Sequence, residues 1–222
     1  MATFQYNIAT GTDDAFSSGA AVFNNSYSWL GFGTEPGKPP QETMNFYVRF
    51  AINLSPDVTI CEAKITFTCQ QSSVASTHNY NAQIVNLQNA GPLTARPTDL
   101  TGTPVVCTIP DISTEDTWQT PDVKSLLQTW ISGIGGDTYS PGDHIVFCFL
   151  HQTSDAFAIE KWYSYEGNPS KAAVLDVTFT DEIASYHRTS GSVSLHSSTA
   201  NVQIAGNANA QVAIHDGRAT IT

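Results

Sequence analysis

Ions are scarce in this chain. Of its 222 residues only 13% are charged, and nine Lys and Arg face twenty Asp and Glu for a formal net charge of −11, whereas soluble domains average about 25% charged. No two basic residues lie within three positions of one another. Nucleic acid is therefore not an expected partner, because phosphate contacts need clustered cations. Long apolar runs are missing too. No stretch approaches the roughly 18 consecutive apolar residues of a membrane span, and MATFQYNIATGTDD has no cationic start leading into an apolar run. The sequence therefore predicts neither a membrane partner nor Sec export. Catalytic signatures are equally short: there is no G-x-S-x-G, no G-x-x-x-x-G-K and no H-E-x-x-H, and the six histidines are scattered. A non-enzyme is the expectation.

Ser, Thr, Asn and Gln must cover the surface that ions leave bare. Such a surface suits extracellular life or packing inside a large assembly. The four cysteines, Cys61, Cys69, Cys107 and Cys148, sit in alternating runs with no CxxC and no His at metal-ligand spacing. Cys61 and Cys69 share one predicted strand, about 26 Å apart at a rise of about 3.3 Å per residue, too far to bond each other. Two readings stand: buried reduced thiols acting as small hydrophobes, and a disulfide between neighbouring strands, which the missing export signal speaks against.

Period-two alternation dominates the chain. In NFYVRFAINL the set Phe46, Val48, Phe50, Ile52 and Leu54 points one way and Asn45, Tyr47, Arg49, Ala51 and Asn53 the other, which predicts a strand with one apolar face. After Ser55-Pro56-Asp57, TICEAKITFTC alternates in the same manner, so the two runs read as an antiparallel pair. Further strands are expected over 4–8, 28–33, 80–87, 105–109, 145–151, 157–165 and 173–179. Ile145 to Leu150 is apolar on both faces, the pattern of a central strand covered from both sides. Many short strands with Pro, Gly and Asn turns indicate an all-β, jelly-roll-like antiparallel sandwich.

One helix interrupts the pattern. Thr120 is placed to cap it, Pro121 to open it, and Asp122 to face its positive end. Val123, Leu126, Leu127, Trp130 and Ile131 follow at helical spacing, and Gly133 offers the stop. The stripe is expected to close an open end of the sandwich; a groove on another protein is the alternative.

Composition changes after Thr180. Val193/Leu195, Val202/Ile204, Val212/Ile214 and Ile221 recur every nine or ten residues, with small polar residues between them. Such short strands bury their faces only by stacking on neighbours. The sequence thus predicts a sandwich domain over 1–182 and a short-strand repeat segment over 183–222, whose seven apolar residues are the candidate assembly interface.

Candidate chemistry is thin. Asp13 and Asp14, in GTDDA, could offer oxygen ligands to Ca²⁺ or form an ordinary polar turn. No other cofactor is expected. Glu160 and Glu166 flank an aromatic run; a carboxylate pair about 5–9 Å apart serves glycoside hydrolysis, but a solvated strand edge is the favoured reading. Trp118, Tyr139 and Trp162 are the candidate glycan-contacting residues, with Trp118 and Tyr139 expected to be exposed in loops.

The order of motifs resembles the DNRLRE-type domain, a carbohydrate-associated β-sandwich family. The likeness covers roughly residues 5 to 180. It rests on Asp13-Asp14-Ala15, on Phe46 to Phe50 closing at Leu54-Ser55-Pro56, and on Thr59 to Ile65. Trp118, the helix from Asp122 to Trp130, Tyr163-Ser164-Tyr165-Glu166 and Leu175-Asp176-Val177 continue the order. Two features depart from it: Ala173-Val174 stands where the family has Pro before the final strand, and the namesake hexapeptide is missing. The resemblance implies a secreted adhesion or polysaccharide-binding module, or a tailed-phage virion protein, whose C-terminal short-strand repeats the segment from 189 to 222 looks like. Two classes of function follow as expectations. One is a virion structural protein, a capsid decoration or minor tail component on the virion surface, made in the host cytoplasm. It would be attached to major capsid or tail subunits as a homo-oligomer, with a trimer as the specific expectation. The other is a carbohydrate-binding module touching a surface glycan.

Overall fold

Alternating strands become antiparallel pairs along the whole sandwich unit. The computed structural model describes residues 1–19, 22–34, 43–72, 77–154, 159–181, 212–215 and 218–221, and the chain divides into two units, Met1–Glu182 and Ile183–Thr222. In chain order the first unit contains β1 (Ala2–Asn7), β2 (Asp14–Ser18), β3 (Val22–Asn24), β4 (Trp29–Thr34), β5 (Thr43–Ala51), β6 (Val58–Gln71), β7 (His78–Val85), β8 (Leu100–Ile109), β9 (Thr117–Gln119), α1 (Lys124–Ile131), β10 (His144–Ser154), β11 (Ile159–Tyr163) and β12 (Val174–Asp181). The sheet runs β1-β12-β6-β11-β4-β5-β10-β7-β8, with β2 and β3 attached beside β5 and β9 beside β6. It folds over where β6 meets β11, at a register shift between Lys161 and Trp162. The result is an all-β, jelly-roll-like antiparallel sandwich with one short helix.

The strands β5 and β6 do not pair, contrary to the sequence reading. β5 is bonded to β2 along one edge and to β10 and β4 along the other, while β6 is bonded to β12, β9 and β11. Their apolar faces meet across the core instead, with the Phe46 and Phe67 rings 5.4 Å apart and nearly perpendicular. Side-by-side pairing would leave both aromatic faces to be covered by something else, whereas facing each other they bury one another.

Nor is the second face of β5 solvated. Tyr47 packs with Ala15, Ala90, Leu93, Val146 and Cys148 in a smaller core outside the sheet, and Asn45 and Arg49 are buried beside it. This is why Ile145 to Phe149 of β10 is buried on both faces.

The outer edge of β6 is covered by the chain that leads into the helix. Glu115 N–H donates to Cys69 O and Cys69 N–H to Asp116 O, Thr120 N–H donates to Ile65 O, and Val123 N–H to Ala63 O. Gln128 Oε1 then accepts from Ile60 N–H at 2.9 Å. An edge that would invite another strand is thereby closed. The same bonds move the helix start. Thr120 does not cap: its Oγ1 accepts from Ile65 N–H at 2.9 Å. Pro121 lies before the helix, which begins at Lys124 after Val123 with no side-chain cap. Val123, Leu126, Leu127, Trp130 and Ile131 all enter the main core, and Gly133 ends the helix at φ 94°.

In the second unit, β13 (Val212–His215) and β14 (Arg218–Ile221) form an antiparallel hairpin with Val212 opposite Ile221 and Ile214 opposite Ala219. Three of the seven candidate assembly residues, Val212, Ile214 and Ile221, lie on these strands. Val193, Leu195, Val202 and Ile204 lie outside the described residues.

Candidate functional site

The three aromatics expected to touch glycan are core. Trp118, Tyr139 and Trp162 are 8%, 3% and 0% exposed, which corrects the expectation of exposed loop positions for the first two. Trp118 sits on β9 opposite Phe67, and its indole N–H donates to Thr108 O at 3.1 Å. Trp162 stacks on Phe32 at 4.3 Å. The Tyr139 hydroxyl accepts from Leu54 N–H at 3.0 Å and lies 3.0 and 2.9 Å from the carbonyls of Ile52 and Leu54. None of these rings presents a face to a sugar. Their positions in short charged or Gly-rich stretches mimic loops, but ring packing on Phe67, Trp130 and Phe32 draws Trp118, Tyr139 and Trp162 inward.

Asp13 and Asp14 are also buried; Asp13 closes a turn, its N–H donating to Thr10 O at 3.0 Å, and Asp14 begins β2. Asp13 pairs with the Arg49 guanidinium and accepts from Thr10 N–H at 3.0 Å, while Arg49 Nε–H donates to Ala90 O at 2.8 Å. Asp14 Oδ2 accepts from Tyr165 N–H at 2.8 Å, and its Oδ1 has no hydrogen-bond partner. Burial pushes the Asp14 carboxyl up to about 8; the Tyr165 N–H opposes this, and the charges of Glu166 and Asp13 add to it. A Ca²⁺ ion wants six to eight oxygens with ionised carboxylates among them. Asp13 is already engaged by Arg49 and Thr10 N–H, which leaves Asp14 Oδ1 as the one unpartnered oxygen of the pair. Among the described residues no group of three or more His, Cys, Asp or Glu is placed to hold a metal.

Glu160 is not on a solvated edge. It is fully buried with His78, whose Nε2 stands 3.6 Å from Glu160 Oε2. Glu166 is on the surface side of the molecule, its side chain lying so close to Gly11 that a Cβ there would fall 1.5 Å from Oε1. The four cysteines are unpaired.

A shallow concavity lies elsewhere, between the chain leaving β7 and the connection from α1 to β10. It is an open cleft of about 400 Å³ lined by Gln88, Asn89, Asp137, Thr138, Ser140 and Asp143, with Leu87 at its rim. Just before Asp137, Gly133, Gly135 and Gly136 adopt φ of 94°, 62° and 86°, a region closed to most side chains. The walls are tied down from behind. Trp130 Nε1–H donates to Leu87 O at 3.3 Å, Asp143 Oδ2 accepts from Ser140 N–H at 2.7 Å, and Asn89 Oδ1 accepts from His144 N–H at 3.2 Å. Gln88 is almost wholly buried. Its Oε1 accepts from Ile134 N–H at 3.2 Å, and its Nε2 has no partner. The amide cannot be turned over to relieve this, because Ile134 N–H requires the oxygen on its side.

Comparison of the chain with protein-family models gives no match, and comparison with curated protein sequences gives none either.

The sequence carried signals for this cleft: the GIGGD run after the helix, the adjacent amides of Gln88-Asn89, and the Ser140-Pro141-Gly142-Asp143 turn. Each alone reads as loop chemistry. Only the pairing of β7 with β10, which brings 86–89 beside 144, makes them one site.

Proposed function

We propose that the chain is a non-catalytic structural protein of a bacteriophage virion, a capsid decoration or minor tail protein. In this reading the sandwich faces outward on the virion surface, and residues 183–222 attach it, as a trimer, to major capsid or tail subunits. The observation that carries it is the separate second unit, in which β13 and β14 form a two-stranded sheet of their own. A two-stranded hairpin is marginal alone in water; copies of the same short strands that stack on one another bury what each leaves open, and closed symmetry completes the interface. Three further features support the reading: low surface charge, the motif order resembling the DNRLRE-type domain, and the sandwich's terminal strands β1 and β8, where Phe4 is 49% and Val106 65% exposed. The test is deletion of residues 183–222, read by mass in solution and by attachment to particles under the electron microscope. A folded, monomeric, unattached sandwich is the expected result. Retention of both oligomeric state and attachment overturns the proposal.

A second reading, a carbohydrate-binding or adhesion module, has the open polar cleft in its favour. It is also the form that a receptor-touching sandwich on a particle would take.

A further inference from the structure

We infer that the outer edge of β1 is an interface between two copies of the chain, in which β1 of one sandwich pairs antiparallel with β1 of the other about a two-fold axis and joins the two sheets into one. The inference goes beyond the function proposed above and does not depend on it, because the contact proposed there belongs to residues 183–222.

The sheet has two ends, β1 and β8, and they are built differently. β8 carries features that keep an edge from recruiting another strand. Gly102, at φ 86°, and Pro104, which has no N–H to offer, lie where the register between β8 and β7 breaks, and the Trp118 indole N–H takes the carbonyl of Thr108 at 3.1 Å. β1 has none of these. Its six residues pair with β12 in one unbroken register, from Ala2 opposite Phe179 to Asn7 opposite Val174, and they include no Pro, no Gly and no charge. Among the described residues no other strand is bonded to β1, so every second residue turns its N–H and C=O outward. The faces are open as well: every residue of the strand except Tyr6 is exposed.

The side chains of β1 narrow the choice of occupant. Phe4 and Tyr6 stand opposite Val177 and Leu175, both fully buried, so they lie on the core side of the sheet. Phe4 nevertheless has half its surface in water, with its ring against Phe179 at 5.3 Å. On the other side Thr3 Oγ1 meets Thr178 Oγ1 at 3.1 Å and Gln5 donates to Asp176 Oδ1 at 2.9 Å, so these polar groups are already engaged. What remains open is a backbone edge and one aromatic ring, and a second β1 supplies the match to both. Residues directly opposite in an antiparallel pair share a face, so an axis normal to the sheet must pass through a residue, Phe4 or Gln5 at the middle of the strand. The first sets Phe4 against Phe4, and the second sets each Phe4 against the other copy's Tyr6. Either way aromatic meets aromatic, and the contact is self-complementary as a closed two-fold interface requires. Charge favours the same occupant. At a net −11 two copies repel over most of their surface and can touch along a neutral strand, whereas a basic partner would find no acid on β1 and only Asp176, already bonded to Gln5, beside it.

The experiment is the mass of the full chain in solution by light scattering, followed by disulfide crosslinking. Wild-type particles should hold an even number of chains. Phe4→Lys, which brings like charges together across the axis at a position already half in water, should halve the mass. Cysteines are then placed in a Cys61→Ser background, which removes the half-buried native thiol. Opposite residues in an antiparallel pair have Cα atoms about 4.5–5.5 Å apart, within disulfide range. Under mild oxidation either Phe4→Cys or Gln5→Cys should therefore give a linked dimer, while Val106→Cys, on β8 and 65% exposed, should not. If Phe4→Lys fails to fold, the cysteine variants decide alone. An odd number of chains in the wild-type particle, one included, overturns the inference, and so does the lack of a crosslink at both positions 4 and 5. Crosslinking of Val106→Cys to the same extent overturns it as well. A mass that Phe4→Lys leaves unchanged while attachment to particles is lost gives the edge to a capsid or tail subunit and likewise overturns it.

Discussion

Replacing Asp14 by Asn should change how the stability of the protein depends on pH. The folded protein holds the Asp14 proton up to about pH 8, while an unfolded Asp releases it near pH 3.9. Between these values the native state binds one proton more than the unfolded state, so stability falls as pH rises. Each pKa unit is worth about 1.36 kcal/mol. The rise from 3.8 to about 8 therefore corresponds to on the order of 5 kcal/mol lost by pH 8, a large part of the roughly 5–15 kcal/mol that holds a domain folded. Asn at this position cannot ionise. Its oxygen can still accept from Tyr165 N–H, but its NH₂ falls where Asp14 Oδ1 has no partner, at a cost of about 1–3 kcal/mol. By pH 5 the wild type has already lost about 1.5 kcal/mol through this linkage, so the two proteins should be of similar stability there, and near pH 9 the variant should be the more stable of the two. Urea unfolding of both proteins across this range gives the difference curve, in which groups common to both cancel. A difference that stays constant from pH 5 to pH 9 would show that Asp14 ionises normally and would refute the reasoning.

Two further outcomes are expected. Trp118→Ala should cost about 3–5 kcal/mol in urea unfolding, as for a large buried aromatic, because its ring lies against Phe67 and Trp162; a cost below about 1 kcal/mol would place the indole outside the core. Thiol titration of the native protein at neutral pH should find one accessible group, half-buried Cys61, since burial pushes Cys69 up to about 11 and Cys107 up to about 12 and also raises Cys148; denaturation should reveal four, and fewer than four would mean that a disulfide forms.

Much of this architecture is written locally. Alternation in 45–54 and 59–69 marks two long strands because a pleated backbone sends neighbours to opposite faces, and the structure has both, as β5 and β6. The helical stripe from Val123 to Ile131 is likewise a local pattern, and it packs on its own sandwich. Short elements escaped. Strands β2, β3 and β9 have five, three and three residues, too few for a period to show, and their existence depends on the neighbour each one joins.

What the residues determined alone is the set of elements, their apolar faces and the low-charge surface, since these follow from side-chain order and composition. Tertiary structure decided which faces meet. It set Phe46 against Phe67 across the core instead of pairing their strands, drew Trp118 and Tyr139 inward, and buried Asp14 and Glu160 although charged residues near strand ends usually face water. The cleft belongs to the same class: Gln88 and Asp137 are 49 positions apart, and only the fold of β7 against β10 closes that distance. Periodicity reports which way a side chain points from its own backbone; it carries no information about what waits on the other side.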